Sequence, residues 1–552
     1  MVLCGLWPTV PRAQAREGDD VTITLRTDNG HYLRADLNLT VDATAHSVGP
    51  WEGWHAERQD DGRYALRSHH GTYLRADISG EVDLTAAGVG PWECWTVERC
   101  SEGGIALRSH HGRYLCAEAG GASVVYANRA KVGSWETFVS DLSAASPVVG
   151  RTGHVRLAGR AFVDDAGPWC ALGSSYFPLV WLARHDLERG RKNLQWLAAR
   201  GMDFVRAFAD VGGPSWEDRT IDASDARWGQ DVAIASDLAH TCGLRVAWTL
   251  FAGPFLAHAP SWYWSITAVF ASAIGARLDS VQAVEVRNEN QGLDDSTMRD
   301  CARILADLLP GVPVALCGTP EKELPDLYRG SAATLATVHW DREYGERGWR
   351  PVRQPWGYYD LQGMPVAHLN NEPIGIDSSI ASESDPVKLA AAALTSWISG
   401  EAGYVLHHGA GVRAGGQADL TRGRKANVWE QPTLETALAL ITSARSLLPA
   451  DLPNWDRHGH AWPSHPLDIH SAVGDAVEAG EPGCNRCYGA TSGDRAVVLV
   501  AGIRDRFRAS SKAGAFTVYR PVGAAWVSSG PTTSIDLAEE DSAIALLVRS
   551  GG

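Results

Sequence analysis

Two glutamates close apolar, strand-like runs. Glu289 ends Glu285-Val286-Arg287-Asn288-Glu289-Asn290, which follows Val281 to Val286, and Glu372 ends His368-Leu369-Asn370-Asn371-Glu372-Pro373, which follows Pro365 to Leu369. A carboxylate at such a place stands where a buried strand reaches the surface. Cleaving a glycosidic bond needs an acid for the leaving oxygen and a second carboxylate for the anomeric carbon or for a water. A separation of ~5–5.5 Å gives retention and one of ~6.5–9.5 Å gives inversion. One carboxyl must then hold a proton near neutral pH while the other stays ionised. Arg206, within the run Asp203-Phe204-Val205-Arg206-Ala207-Phe208, could supply the opposing charge for the ionised partner. A single glutamate at a strand end is more often a loop ion pair; the pairing is what speaks for chemistry. Glu285, inside its strand, is a weaker rival to Glu289.

These residues need a scaffold, and the middle of the chain reads as one. Apolar strand-like runs occur at 171–177, 203–208, 244–250, 281–286, 312–316, 334–339, 365–369 and 403–407, with helix-like segments such as 191–200 and 232–242 between them. Such alternation implies parallel strands joined by right-handed crossovers. Eight units over about 300 residues fit a closed (β/α)8 barrel, whose active site gathers at the C-terminal strand ends. Strands four and seven then carry Glu289 and Glu372 to opposite sides of one mouth. His339 ends strand six, and Asn288 precedes Glu289. The bland reading of Asn288 is a turn residue, and that of His339 a satisfied core histidine.

With the strand positions assigned, Asn288-Glu289 and Glu372 resemble the catalytic pattern of clan A glycoside hydrolases, the family 5 cellulase-like group in particular. The resemblance spans about 165–440 and implies Glu289 as acid/base, Glu372 as nucleophile and retention of configuration. It also implies that Arg206 holds the nucleophile, that Asn288 binds the sugar 2-hydroxyl and that His339 lies beside the nucleophile. Asn290 stands where proline is common, and Asn-Asn-Glu-Pro replaces the common Glu-Phe-Gly, so the pattern does not carry a substrate with it.

The N-terminal part is a repeat. Gly30-His31-Tyr32-Leu33-Arg34-Ala35 returns as Gly71-Thr72-Tyr73-Leu74-Arg75-Ala76 and as Gly112-Arg113-Tyr114-Leu115-Cys116-Ala117, 41 residues apart each time. A second marker follows each copy: Gly49-Pro50-Trp51-Glu52, Gly90-Pro91-Trp92-Glu93 and Gly133-Ser134-Trp135-Glu136. Short alternating strands separated by glycine turns cannot bury a face alone, but three such units can close one barrel. This resembles a fascin-like β-trefoil; such trefoils bind either sugars or protein, and beside a glycosidase-like barrel sugar binding is the expected use, with protein binding as the alternative. The expected architecture is multidomain: a β-trefoil over 18–142, a (β/α)8 TIM barrel over 150–450 and an antiparallel β-sandwich over 455–552 that packs on the barrel.

Composition narrows the partners. A formal net charge of −15 argues against non-specific nucleic-acid binding and against long-range steering of an acidic polysaccharide, leaving room for a local basic patch. The 22 tryptophans are many, and flat rings stack on sugar faces as readily as they fill cores. Candidate sugar platforms near strand ends are Tyr176, Phe177, Trp181, Trp216, Trp248, Phe251, Trp340 and Trp429, with the loop Trp356-Gly357-Tyr358-Tyr359. His407 and His408, closing strand eight, either line the pocket or brace a loop. No metal and no organic cofactor is expected: the sequence holds no phosphate loop, no HExxH and no GxSxG. A single CxxC, Cys484 to Cys487, is a poor zinc signal, and Cys94, Cys100 and Cys116 could pair in an oxidising compartment. No apolar run reaches a membrane span. Residues 2–15 resemble a secretory leader lacking its basic start, which sets export beside a plain N-terminal tail as the two readings. The expectation is a hydrolase of β-linked glycans, β-glucan or β-mannan in type, with an oligo- or polysaccharide as partner. A transglycosylase with the same residues and a non-catalytic carbohydrate-binding or adhesion protein on a barrel scaffold are the alternatives.

Overall fold

The computed structural model describes residues 20–59, 63–100, 104–140, 151–213, 216, 219–253, 258–289, 294–317, 324–339, 349, 352, 366–373, 375–376, 383–413, 427–459, 463–470, 486–503, 506–539 and 542–550. The leader-like stretch 2–15, Trp340, the loop 356–359 and Cys484 lie outside the described residues. The chain forms two compact units, Met1–Pro147 and Val148–Gly552. Among the described residues no helix is long and apolar enough to cross a membrane.

In the first unit the sequence repeat becomes a repeat of strands. Trp54–Arg58, Tyr64–Arg67, Tyr73–Ala76 and Val82–Ala86 form one copy, and Cys94–Arg99, Ile105–Arg108, Tyr114–Ala117 and Val125–Arg129 the next. Alternation turns Leu33, Leu74 and Leu115, with Ala35, Ala76 and Ala117, into a shared core in which all six are fully buried. Each Gly-x-Trp-Glu marker folds into one 3₁₀ turn whose glutamate accepts the glycine's own N–H: Glu52 from Gly49 at 2.7 Å, Glu93 from Gly90 at 2.7 Å and Glu136 from Gly133 at 2.8 Å. Just beyond the turn, Trp54 and Trp95 enter the core and donate their indole N–H to the Leu33 and Leu74 carbonyls. Phe138 takes that place in the last copy, with no polar atom to satisfy. Bridges Thr40–Asp83, Asp42–Val124 and Glu81–Tyr126 join the three hairpins in a ring, as the expected β-trefoil requires. His70 packs edge-on to Trp51 and bonds the Ala35 carbonyl at 3.0 Å, so this histidine belongs to the repeat's own structure. The Cys94 thiol reaches the Gly90 carbonyl and Cys100 accepts from Thr137; neither is joined to Cys116.

The second unit contains the eight-stranded closed parallel barrel: β1 (Ala171–Ser175), β2 (Phe204–Val211), β3 (Arg245–Ala252), β4 (Val281–Arg287), β5 (Val314–Cys317), β6 (Leu335–Val338), β7 (Ala367–Asn370) and β8 (Gly403–Leu406). Ala171 lies beside Gly403 and closes the ring. Inward positions stack in layers. Near the N-terminal end, Phe204, Ala247, Ala283, Ala315 and Ala367 share a cluster with Phe162 and Trp169 from the small sheet 156–169. The alanines leave room that these two rings fill. Gly173 on β1 has no side chain because a Cβ there would meet the Phe204 ring at 2.3 Å.

The C-terminal segment is a sandwich of a six-stranded and a three-stranded antiparallel sheet. Alternation along Arg495–Ala501 sends Ala496, Val498 and Val500 between the two sheets and Val497, Leu499 and Ala501 into the barrel's outer core. The sandwich therefore shares hydrophobic core with the helical ring of the barrel, with Trp526 donating to the Leu440 carbonyl at 3.0 Å.

Phe162 is fully buried where the hairpin seals the barrel. Phe162→Ala should destabilise the second unit by about 3–5 kcal/mol, as truncation of a buried aromatic does. Urea unfolding followed by tryptophan fluorescence reads this; a loss below about 1 kcal/mol would mean that the plug does not hold the barrel.

Candidate active site

The mouth is organised around one buried guanidinium. Arg206, on β2 and 1% exposed, donates from Nη1 to Glu372 Oε2 at 2.8 Å, and from Nη2 to Glu285 Oε2 at 2.8 Å and to Asn288 Oδ1 at 2.7 Å. Its Nε reaches Thr249 Oγ1 at 3.2 Å. One side chain thus ties β2, β3, β4 and the end of β7 together. Burial works against its charge, but Glu285 and Glu372 outweigh that and hold the guanidinium above its ordinary pKa.

Glu285 is the structural partner in this set. Its carboxylate accepts from Arg206, from Thr249 Oγ1 at 2.5 Å, from Asn371 Nδ2 at 2.9 Å and from Thr337 Oγ1. Burial raises its pKa; Arg206 and the two hydroxyls outweigh this and leave it lowered. Glu372, just past β7, takes the other arm of Arg206 and lies 3.6 Å from His339 Nε2. Glu289, just past β4, reaches His339 Nδ1 at 3.4 Å. One imidazole therefore touches both carboxylates, while Cys317 Sγ at the end of β5 lies 3.8 Å from its Nε2. Burial favours the neutral ring; Cys317, Glu372 and Glu289 outweigh it and push His339 up to about 10. Glu289 holds a left-handed backbone, φ +55°, which is uncommon for a non-glycine residue and concentrates at functional sites.

The structure thus gathers Arg206, Asn288, Glu289, His339 and Glu372 at one end of the barrel. Trp216 joins them at one remove: Phe177 stacks on Phe208 at 3.9 Å, both rings lie under the Arg206 guanidinium, and Trp216 packs 5.8 Å from Phe208 with Arg219 over its own face. Two expected platforms are corrected. Trp248 precedes the inward Thr249, so alternation turns it outward, where it packs edge-on against Phe270 of the helix Pro260–Gly275. Tyr176 is fully buried, and its charged neighbours Arg189 and Asp186 belong to the outer helical ring. Trp429 is exposed on the one-turn helix Val428–Glu430, which is fastened through Val428 N to Asn193 on the outer helix Leu187–Ala198. Trp340 lies outside the described residues. His408 bonds Ser174 at 2.8 Å and the Gly411 N–H at 3.0 Å, which makes it a brace, while His407 bonds Ser175 and packs beside Phe177. The sequence does not mark Thr249, Thr337, Asn371, Phe208 and Cys317 as site residues. The available signal was the inward alternation that runs with Arg206 and Glu285.

The buried Arg206–Glu285 pair makes stability depend on pH. Glu285 has a lowered folded-state pKa, so its ionised form stabilises the fold above the ordinary glutamate range, and that contribution fades as pH falls through the lowered value. Glu285→Gln should cost about 3–5 kcal/mol at pH 7. Denaturant titrations should show the gap to wild type closing below the ordinary pKa of 4.5; a gap independent of pH would locate the loss in packing instead.

Comparison with known proteins sets this geometry in a family context. A fascin-domain family model matches residues 52–139. No curated protein matches. Among solved structures, a glycoside hydrolase family 5 protein from Bacteroides vulgatus ATCC 8482 is similar at 11% identity and TM-score 0.53, covering 72% of this chain and 94% of that one. A second, described as a glycoside hydrolase, is similar at 10% identity and TM-score 0.51, covering 72% and 96%. The chain thus joins a fascin-like trefoil to a barrel with the fold of family 5 glycoside hydrolases.

Proposed function

We propose that the protein is a retaining glycoside hydrolase acting on β-linked glycans of the β-glucan or β-mannan type. The observation that carries this is the shared imidazole: His339 touches both Glu289 and Glu372, and Arg206 fixes Glu372 from the other side. In this reading Arg206 and His339 keep Glu372 ionised as the nucleophile. Glu289 protonates the departing oxygen while Glu372 bonds to the anomeric carbon. Glu289 then takes a proton from water, which attacks the same carbon and releases Glu372. The His339 imidazolium favours ionised Glu289, the form needed in the second step. A bound sugar that covers its partly exposed carboxylate favours the protonated form needed in the first. Asn288, whose Oδ1 is anchored by Arg206, presents its amide for a sugar hydroxyl. Phe177, Phe208 and Trp216 form the apolar wall. The trefoil serves as a glycan-binding unit that raises local substrate concentration.

Assay on a panel of β-glucans, β-mannans and aryl β-glycosides tests this. Glu289→Gln should lower kcat by about 10²–10⁴-fold, the range for loss of a general acid/base. Proton NMR of the first product should show the β-anomer; the α-anomer would replace retention with inversion. Release of no reducing sugar from any member of the panel would sink the enzyme reading and leave a binding protein. Transfer to excess acceptor sugar in preference to water would make it a transglycosylase.

A further inference from the structure

The trefoil repeats a surface feature that its marker turns do not need. In each Gly-x-Trp-Glu turn the glycine and the glutamate make the closing hydrogen bond. The tryptophan side chain takes no part in that bond and stays out of the core. Trp92 is 36% exposed, Trp135 43%, and Trp51 is half-buried. A valine precedes the glycine in every copy, and Val48, Val89 and Val132 are exposed too. Single exposed apolar residues need no explanation. An exposed Val and Trp kept at the same place in three copies do, because other surface positions change between them.

Each indole stands at a junction with another copy's hairpin turn. The three turns are alike: Thr27, Ser68 and Ser109 each donate their N–H to the carbonyl four residues on. Trp51 meets His70 edge-on, ring centroids 5.5 Å apart, and Trp92 meets His111 at 5.3 Å. Arg75 backs the Trp92 ring at 4.8 Å. At the third junction Asn29 holds the place of those histidines, and Asn29 and Trp135 both close on Gly120, where a Cβ would meet them at 2.8 and 3.4 Å. Contacts of this kind fix the pose of each ring. The residue before the contact in each turn, His69, His110 or Asp28, is exposed. Every junction therefore sets an indole beside a hydrogen-bonding side chain that reaches solvent. A sugar offers C–H groups to an aromatic ring and hydroxyls to a polar rim. A protein partner instead needs about 800 Å² of continuous surface on each side. Three small platforms in threefold arrangement suit a ligand that itself repeats, and several weak contacts to one polymer add to its avidity.

We propose that the trefoil binds polysaccharide through three equivalent platforms centred on Trp51, Trp92 and Trp135, an inference that rests on the trefoil being the glycan-binding unit. Affinity electrophoresis of the full chain through gels holding a soluble β-glucan or a soluble β-mannan tests it. Wild type should be retarded by at least one of the two polymers. Trp51→Ala, Trp92→Ala and Trp135→Ala should each weaken that binding by about tenfold, as loss of one of several linked contacts does. The triple alanine variant should keep only what the barrel contributes. The triple phenylalanine variant, which preserves a flat ring, should retain most of the retardation, and it serves if the alanine variants do not fold. Wild type passing both gels without retardation would overturn the platforms. So would retardation unchanged in the triple alanine variant, or the whole loss falling on one tryptophan. Retardation needs no turnover, so tryptophan-dependent binding by a protein that cleaves no glycan would sink the hydrolase reading alone.

Discussion

A guanidinium buried to 1% exposure needs carboxylates, and the rest of the barrel mouth follows from that need. Arg206 has five donors in a rigid plane. Glu285 and Glu372 take the two arms, and Asn288 and Thr249 accept two more of the five. The two carboxylates are not equivalent. Glu285 is saturated by Arg206, two threonine hydroxyls and an amide, so it is spent on structure. Glu372 takes the other arm of the same arginine and meets His339 just past β7. Arginine thus serves both as the pin of four strands and as the electrostatic support of one carboxylate.

The surrounding fold keeps that geometry stiff. At the N-terminal end the alanine layer is filled by Phe162 and Trp169, so the lower barrel is a packed solid. On the outside, the sandwich contributes Val497, Leu499, Ile544 and Leu546 to the core of the helical ring. Interior packing at this density does not yield smoothly to displacement. The 2.8 Å hydrogen bond from Arg206 on β2 to Glu372, just past β7, sits on that packed frame. The trefoil solves its own problem separately, through three glutamate-capped turns and a core of repeated leucine and alanine.

The strand frame was legible because parallel barrel strands are buried on both faces and read as unbroken apolar runs. All eight appear within three residues of their expected places, including the short Gly403–Leu406. The same burial hid the direction of each side chain. Every residue of Phe204–Val211 and of Arg245–Ala252 is buried, and between Val246 and Ala252 only Thr249 marks the inward face. Trp248 was read toward the mouth for that reason, and it faces the helices. Glu285 looked secondary because its partners Thr337 and Asn371 come from strands distant in sequence, and only the register brings them together. The trefoil was plain because a 41-residue repeat exposes its symmetry in one dimension.

Glu372 as nucleophile is the central chemical claim, and covalent trapping addresses it most directly. Incubation with a 2-deoxy-2-fluoro-β-glycoside bearing a good leaving group, followed by intact-mass measurement and peptide mapping, should show a single glycosyl adduct on Glu372. An adduct on Glu289 or Glu285, or hydrolysis with inversion and no adduct, would contradict it.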